Sequence, residues 1–135
     1  MQELTIGALI SNLPQVLAFV DGALEEADCN PKAQMQLDIA VEEMFVNIAH
    51  YAYAPGTGDA VIRVSFEEET RMFSVTFLDS GTPFNPLERD NPDVTLNAEE
   101  REIGGLGIFM VRKSMDEILY AFENGQNSLT LKKRI

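Results

Sequence analysis

Glu43 and Asn47 stand four residues apart in AVEEMFVNIAHYAY, a run whose apolar residues recur at helical spacing. Residues four apart on a helix are neighbours on one face. A carboxylate there can take a proton from water or a hydroxyl, and a neutral carboxamide oxygen is a hard donor suited to Mg²⁺. Asp79-Ser80-Gly81 closes a strand pattern whose preceding residues, Val75 to Leu78, read as buried. A carboxylate at such a place loses hydration unless a donor meets it, and the exocyclic amine of a base is one such donor. Gly104-Gly105-Leu106-Gly107 then leads straight into a helical pattern, where bare backbone admits a ligand closely and the first N–H groups favour phosphate oxygens. Each group also has a plain structural reading: a solvated or capping Glu–Asn pair, an ordinary Asp-Ser-Gly turn, and a flexible loop end. No Gly-Lys dipeptide occurs, so there is no P-loop, and no G-x-G-x-x-G follows a strand.

The elements that must position these groups follow from hydrophobic period. A strand is predicted over residues 3–6, then a helix from Asn12, read as its cap, with Pro14 in the first turn, running through LPQVLAFVDGALEEAD. A second helix opens after Asn30-Pro31 and runs to the breakers Pro55, Gly56 and Gly58. On a wheel of about 100° per residue, Leu37, Ala40, Val41, Met44 and Ile48 make its core stripe, and Glu43, Asn47 and His50 a polar strip beside it. AVIRVSFEEE and RMFSVTFLD alternate as an antiparallel hairpin. Residues 80–105 carry three prolines and no clear period, a loop long enough to be functional. GGLGIFMVRKSMDE is a glycine-rich turn feeding a helix, and ILYAFE, Asn124-Gly125 and SLTLKKRI form a second hairpin. The order β-α-α-ββ-loop-α-ββ predicts an α+β two-layer sandwich with helices on one face of a sheet.

Composition narrows the function classes. Twenty-two acidic against 10 basic side chains in 135 residues give a net charge of −12, which argues against a nucleic acid or an anionic membrane as partner, because that affinity comes from Lys and Arg neutralising phosphates. One Cys and one His exclude an internal disulfide and a zinc cluster. The absence of an eighteen-residue apolar run or a basic, apolar N-terminal leader leads us to expect a cytoplasmic chain forming a single domain, 1–135. Met35, Met44, Met110 and Met115 read as core fill, Cys29 as a passive small side chain, and Lys132-Lys133-Arg134 as a solvated strand end.

The order of the motifs carries more than any one of them. A helix with Glu and Asn, a strand ending in Asp-x-Gly, a long loop, Gly-x-Gly on a helix and a last strand with Thr130 resemble the Bergerat-type (GHKL) ATP-binding fold. Within it, AVEEMFVNIAHYAY, FLDSGTPFNP and GGLGIFMVRKSMDE most resemble the anti-sigma-factor serine/threonine kinases of bacterial partner switching, over nearly the whole chain. The resemblance implies a mixed, mostly antiparallel sheet, a lid over residues 85–103, and use of ATP with Mg²⁺. It makes Asn47 the metal ligand and Glu43 the catalytic base. Asp79 would accept the adenine amine, with Gly81 allowing close approach and Thr130 supporting the contact. Gly105, Leu106 and Gly107 would cradle phosphates, and His50 would line the pocket edge, or else hydrogen-bond on the helix flank. Arg101 is the one basic residue of the late lid, inside an acidic EERE. The implied partners are a sigma factor and an anti-sigma-factor antagonist carrying the acceptor hydroxyl, and the implied assembly is a homodimer. The acidic lid keeps open a non-catalytic, ATP-dependent binding switch; a detached histidine-kinase catalytic domain is the third reading.

Overall fold

Asn30 and Pro31 start the central helix as the sequence predicts. The Asn30 Oδ1 accepts from the Ala33 N–H at 2.8 Å, and proline takes the first turn, where an N–H has no partner to lose. In the computed structural model, which describes residues 1–88 and 105–135, the elements follow in the expected order. They are β1 (Gln2–Gly7), a 3-10 turn (Ile10–Asn12), α1 (Leu13–Glu26), α2 (Pro31–Asn47) and a π-helical turn (Ile48–Ala52). After them come β2 (Asp59–Glu67), β3 (Met72–Asp79), a second 3-10 turn (Pro86–Glu88), α3 (Gly105–Ser114), β4 (Glu117–Glu123) and β5 (Gln126–Arg134).

Asn12 is not the cap expected of it. Its backbone is already helical as the end of the 3-10 turn, and its Nδ2 reaches back to donate to the Gly7 carbonyl at 2.8 Å. The entry to α1 is thus fixed by a tie to the end of β1. The second hairpin turns on Asn124 and Gly125, both at positive φ (55° and 76°), as a tight two-residue connection requires.

The strand order is β1-β2-β3-β5-β4, with all four pairings antiparallel. The mixed sheet implied by the resemblance is therefore not seen among the described residues. The cause is topological: neighbouring strands are separated by either no long element or two, and each helix or strand reverses the chain, so neighbours meet head to tail. Ile62 and Val64 of β2, Phe73, Val75 and Phe77 of β3, and Leu129 and Leu131 of β5 all point to one face. There they pack with Val16, Val20 and Leu24 of α1, Leu37, Val41 and Phe45 of α2, and Ile108 and Val111 of α3. Burying each of the larger side chains contributes roughly 1.5–3 kcal/mol. Met44 and Met115 belong to this core, whereas Met35 and Met110 are exposed on the outer sides of their helices and are not core fill.

Two cations, one in the turn between β2 and β3 and one in β5, finish two of the helices. Arg71 donates through Nη2 to the Ala27 carbonyl at 2.9 Å, and Lys133 through Nζ to the Ser114 carbonyl at 2.7 Å. Both carbonyls lie at helix C-termini, where partial negative charge gathers and no intrahelical donor remains. No helix among the described residues is long and apolar enough to cross a membrane.

Candidate functional site

Asn47 ends α2 with its side chain buried. Its Nδ2 donates to the Glu43 carbonyl at 2.8 Å and reaches the Glu43 carboxylate at 3.3 Å. The amide is thereby held in one orientation, and its Oδ1, which takes no hydrogen bond from a described residue, belongs to a side chain lining a cavity between α2 and the sheet. Glu43 lies one turn earlier, half-buried, against the start of α3. A Cβ built on Gly107 would fall 2.1 Å from the Glu43 Oε2. Glycine at 107 is therefore what lets α3 begin beside this carboxylate. Gly105 and Leu106 form the first turn of the same helix.

Beyond Asn47 the helix widens into the π-turn, whose i→i+5 bonds advance fewer degrees per residue than an α-helix. Continued α-helical spacing would have carried His50 to the cavity edge. Instead His50 is exposed and absent from the wall, and Ile48, Tyr51 and Ala52 line it. This corrects the place expected of His50.

On the opposite wall, Asp79 is the last residue of β3 and is only 4% exposed. Its Oδ1 accepts from the Gly81 N–H and from the Asn127 Nδ2, each at 2.9 Å, while its Oδ2 takes no hydrogen bond from a described residue. Gly81 is held by sterics as well, since a Cβ there would stand 2.1 Å from the Ala52 carbonyl oxygen.

Thr130 does not support Asp79. Strand side chains alternate between faces, and the register sets Asp79 opposite Asn127, Phe77 opposite Leu129 and Thr76 opposite Thr130. Thr130 therefore points to the face away from the helices, where its hydroxyl meets that of Thr76 at 2.9 Å. Asn127, which the motif reading missed, fills the inward position. Besides Asp79, its Nδ2 donates to the Thr82 carbonyl at 3.0 Å. Its Oδ1 accepts from the Phe84 N–H at 3.1 Å and from the Tyr120 hydroxyl. Three of the four hydrogen bonds of this buried amide fix Asp79 and the segment after it, and the fourth ties it to β4. The signal was available in the sequence: Leu129 and Leu131 define the inward parity of SLTLKKRI, and Asn127 shares it.

Between the two walls lies an apolar slot of about 40 Å³, closed by Met44, Phe77, Tyr120 and Leu129 and carrying Asn47 and Asp79. A larger groove of about 260 Å³ lies among Met1, Glu26, Ser65, Phe66 and Phe73. Volume would favour the groove. Chemistry favours the slot, because only there do buried acceptor-bearing side chains converge on an apolar wall. Of the expected lid, residues 89–103, with Arg101, lie outside the described residues, as does Gly104.

Residues 6–133 match the family model for a histidine kinase-like ATPase domain. The serine/threonine-protein kinase BtrW of Bordetella bronchiseptica is 26% identical over 100 residues, which is 74% of this chain and 70% of that protein. The serine-protein kinase RsbW of Listeria monocytogenes is 30% identical over 110 residues, 78% of this chain and 69% of that protein. Among solved structures, a chain of the SiaB–SiaC complex from Pseudomonas aeruginosa has a TM-score of 0.60 at 19% identity, covering 98% of this chain and 89% of that one, a likeness of fold.

Proposed function

The chain belongs to the histidine kinase-like ATPase domain family, and from that premise we propose that it is an ATP-dependent serine/threonine protein kinase of the partner-switching type. Its substrate in this reading is a hydroxyl of an anti-sigma-factor antagonist, and a sigma factor is the partner it exchanges. Relatives named as serine-protein kinases support the activity. The observation that carries the site assignment is the convergence of Asn47 and Asp79 on one apolar slot, with Glu43 beside the start of α3. Action in the cytoplasm, as a dimer, belongs to the same proposal.

In this reading the Asp79 Oδ2 accepts the adenine 6-amino group, and Met44, Phe77 and Leu129 supply the apolar walls for the base. Tyr51, one turn beyond Asn47, joins them. The backbone N–H groups of Gly105, Leu106 and Gly107 face the phosphates at a helix start. Asn47 fits the metal role by its chemistry: a neutral, pre-oriented carboxamide whose oxygen is not used by the fold. Bound Mg²⁺ would supply charge neutralisation at the phosphates. Glu43 is one turn from Asn47, and positions or deprotonates the acceptor hydroxyl; catalysis here is mostly orientation and electrostatics.

The acidic EERE around Arg101 favours a second reading, a nucleotide-dependent binding switch without turnover. Transfer of labelled phosphate from ATP to Ser or Thr of the antagonist separates the two. Tight Mg·ATP binding with no transfer removes the kinase reading and leaves the switch.

A further inference from the structure

Tyr53 directly follows the π-turn and is joined to two other parts of the chain through one atom. Its hydroxyl donates to the Asp59 carbonyl at 2.6 Å and accepts from the Ser80 N–H at 2.8 Å. It therefore links the start of β2 to the residue just beyond β3. The ring occupies the space a side chain on Gly58 would need, for a Cβ there would lie 2.4 Å from the Tyr53 Cε1. Beside it the Thr82 N–H donates to the Ala52 carbonyl at 2.8 Å, and Gly81 packs on that same carbonyl. Residues 52–53 thus grip residues 80–82.

Asp79 sits at the root of this gripped turn, and its Oδ1 is taken up by the Gly81 N–H and by Asn127. The rotation of the carboxylate, and with it the direction of the remaining oxygen, follows where Ser80 and Gly81 are held. Hydrogen bonds weaken steeply with angle and distance, so a small drift of this turn spoils an acceptor aimed at a base.

We propose that Tyr53 is a positioning residue of the nucleotide site, whose hydroxyl anchors the Asp79-Ser80-Gly81 turn and so sets the preference for a base bearing an exocyclic amine. The inference rests on the reading of Asp79 given above. Its effect is confined to the base end of the site, since Asn47 and the start of α3 belong to other elements.

Calorimetry on the full chain with Mg·ATP and Mg·ITP tests it, because the inosine base carries an oxo group where adenine carries the amine. We expect the wild type to favour ATP. Tyr53→Phe should narrow the ATP-to-ITP affinity ratio by about tenfold, the equivalent of one well-formed hydrogen bond, with ITP affinity nearly unchanged. A general loss of stability would lower both affinities together. Gly58→Ala, which pushes the ring aside while leaving the hydroxyl in the protein, should narrow the ratio as well, and it decides the matter if Tyr53→Phe does not fold. A folded Tyr53→Phe with the wild-type ratio overturns the proposal while sparing the Asp79 reading. Equal affinity of the wild type for the two nucleotides overturns both.

Discussion

Asn47 in the slot and Glu43 one turn before it lend themselves to separate measurement. Asn47→Ala removes the carboxamide oxygen, so Mg·ATP affinity should fall by an order of magnitude or more in calorimetry. Glu43→Gln keeps an acceptor near the Asn47 amide and should keep nucleotide affinity within about threefold while phosphate transfer falls by about 10²–10⁴. Unchanged affinity in Asn47→Ala would remove the metal assignment. The strand parity gives a second contrast. Thr130→Val should leave ATP affinity unchanged, because its hydroxyl meets only Thr76 on the far face. Asn127→Ala removes a hydrogen bond from each of the Thr82 carbonyl, the Phe84 N–H and Asp79, so it should lose about 1–3 kcal/mol of stability and most of the preference for adenine. The reverse pattern would place Thr130 back at the site.

At the scale of elements, α2 and α3 meet closely at Gly107. Gly107→Ala sets a methyl group into the Glu43 carboxylate. Either Glu43 swings away, at little cost in stability, or α3 withdraws, with a loss of about 1–3 kcal/mol and several degrees of melting temperature, and both should abolish transfer. Wild-type transfer by Gly107→Ala would show that the two groups are not in register during catalysis. The elements themselves were largely legible in the sequence. The hairpins announced themselves by alternation and by Asn124-Gly125, and α2 by its Asn-Pro start and its stripe of Leu37, Val41 and Met44. What could not be read was the π-turn. A helical wheel assumes constant twist, and the change after Asn47 answers to distant contacts, the Ala52 carbonyl meeting Thr82 and Gly81. That one departure turned His50 out of the wall and Ala52 into it, while Tyr51, one turn beyond Asn47, faces the wall at either twist. Thr130 failed for a different reason: its motif position was matched without counting the parity that Leu129 and Leu131 displayed.

At the scale of the molecule, an exposed ion pair can be set against a buried contact of like charges. Arg63–Glu3, at 3.3 Å and exposed, is the one ion pair among the described residues, and such a pair stabilises by about 1 kcal/mol at most. The helical layer instead contains a like-charged contact. Asp38 of α2 is pushed up to about 7 from 3.8, chiefly by burial, then by a hydrogen bond with Asp21 and by the Asp21 charge. Each of these aspartates keeps a buried Oδ1 without a partner. The folded protein thus holds this proton more tightly than the unfolded chain does. Stability from it is complete below about pH 4 and is lost as pH rises through 7. Asp38→Asn should therefore gain on the wild type by about 1 kcal/mol as pH rises from 5 to 8, after allowing for solvent screening of a partly exposed group. Urea melts at the two pH values check this, and a constant difference would dissociate the pair from the pH dependence.

The strand order has a consequence for how such a chain is born. β5, the last strand in sequence, lies inside the sheet between β3 and β4. A nascent polypeptide halted before Gln126 would expose one whole side of β3, would lack Asn127 beneath Asp79, and would leave Lys133 unavailable to close α3. Ligand competence must then arrive all at once, when β5 inserts between β3 and β4, and until that moment the unpaired strand edges make the ribosome-bound precursor a natural client for chaperones.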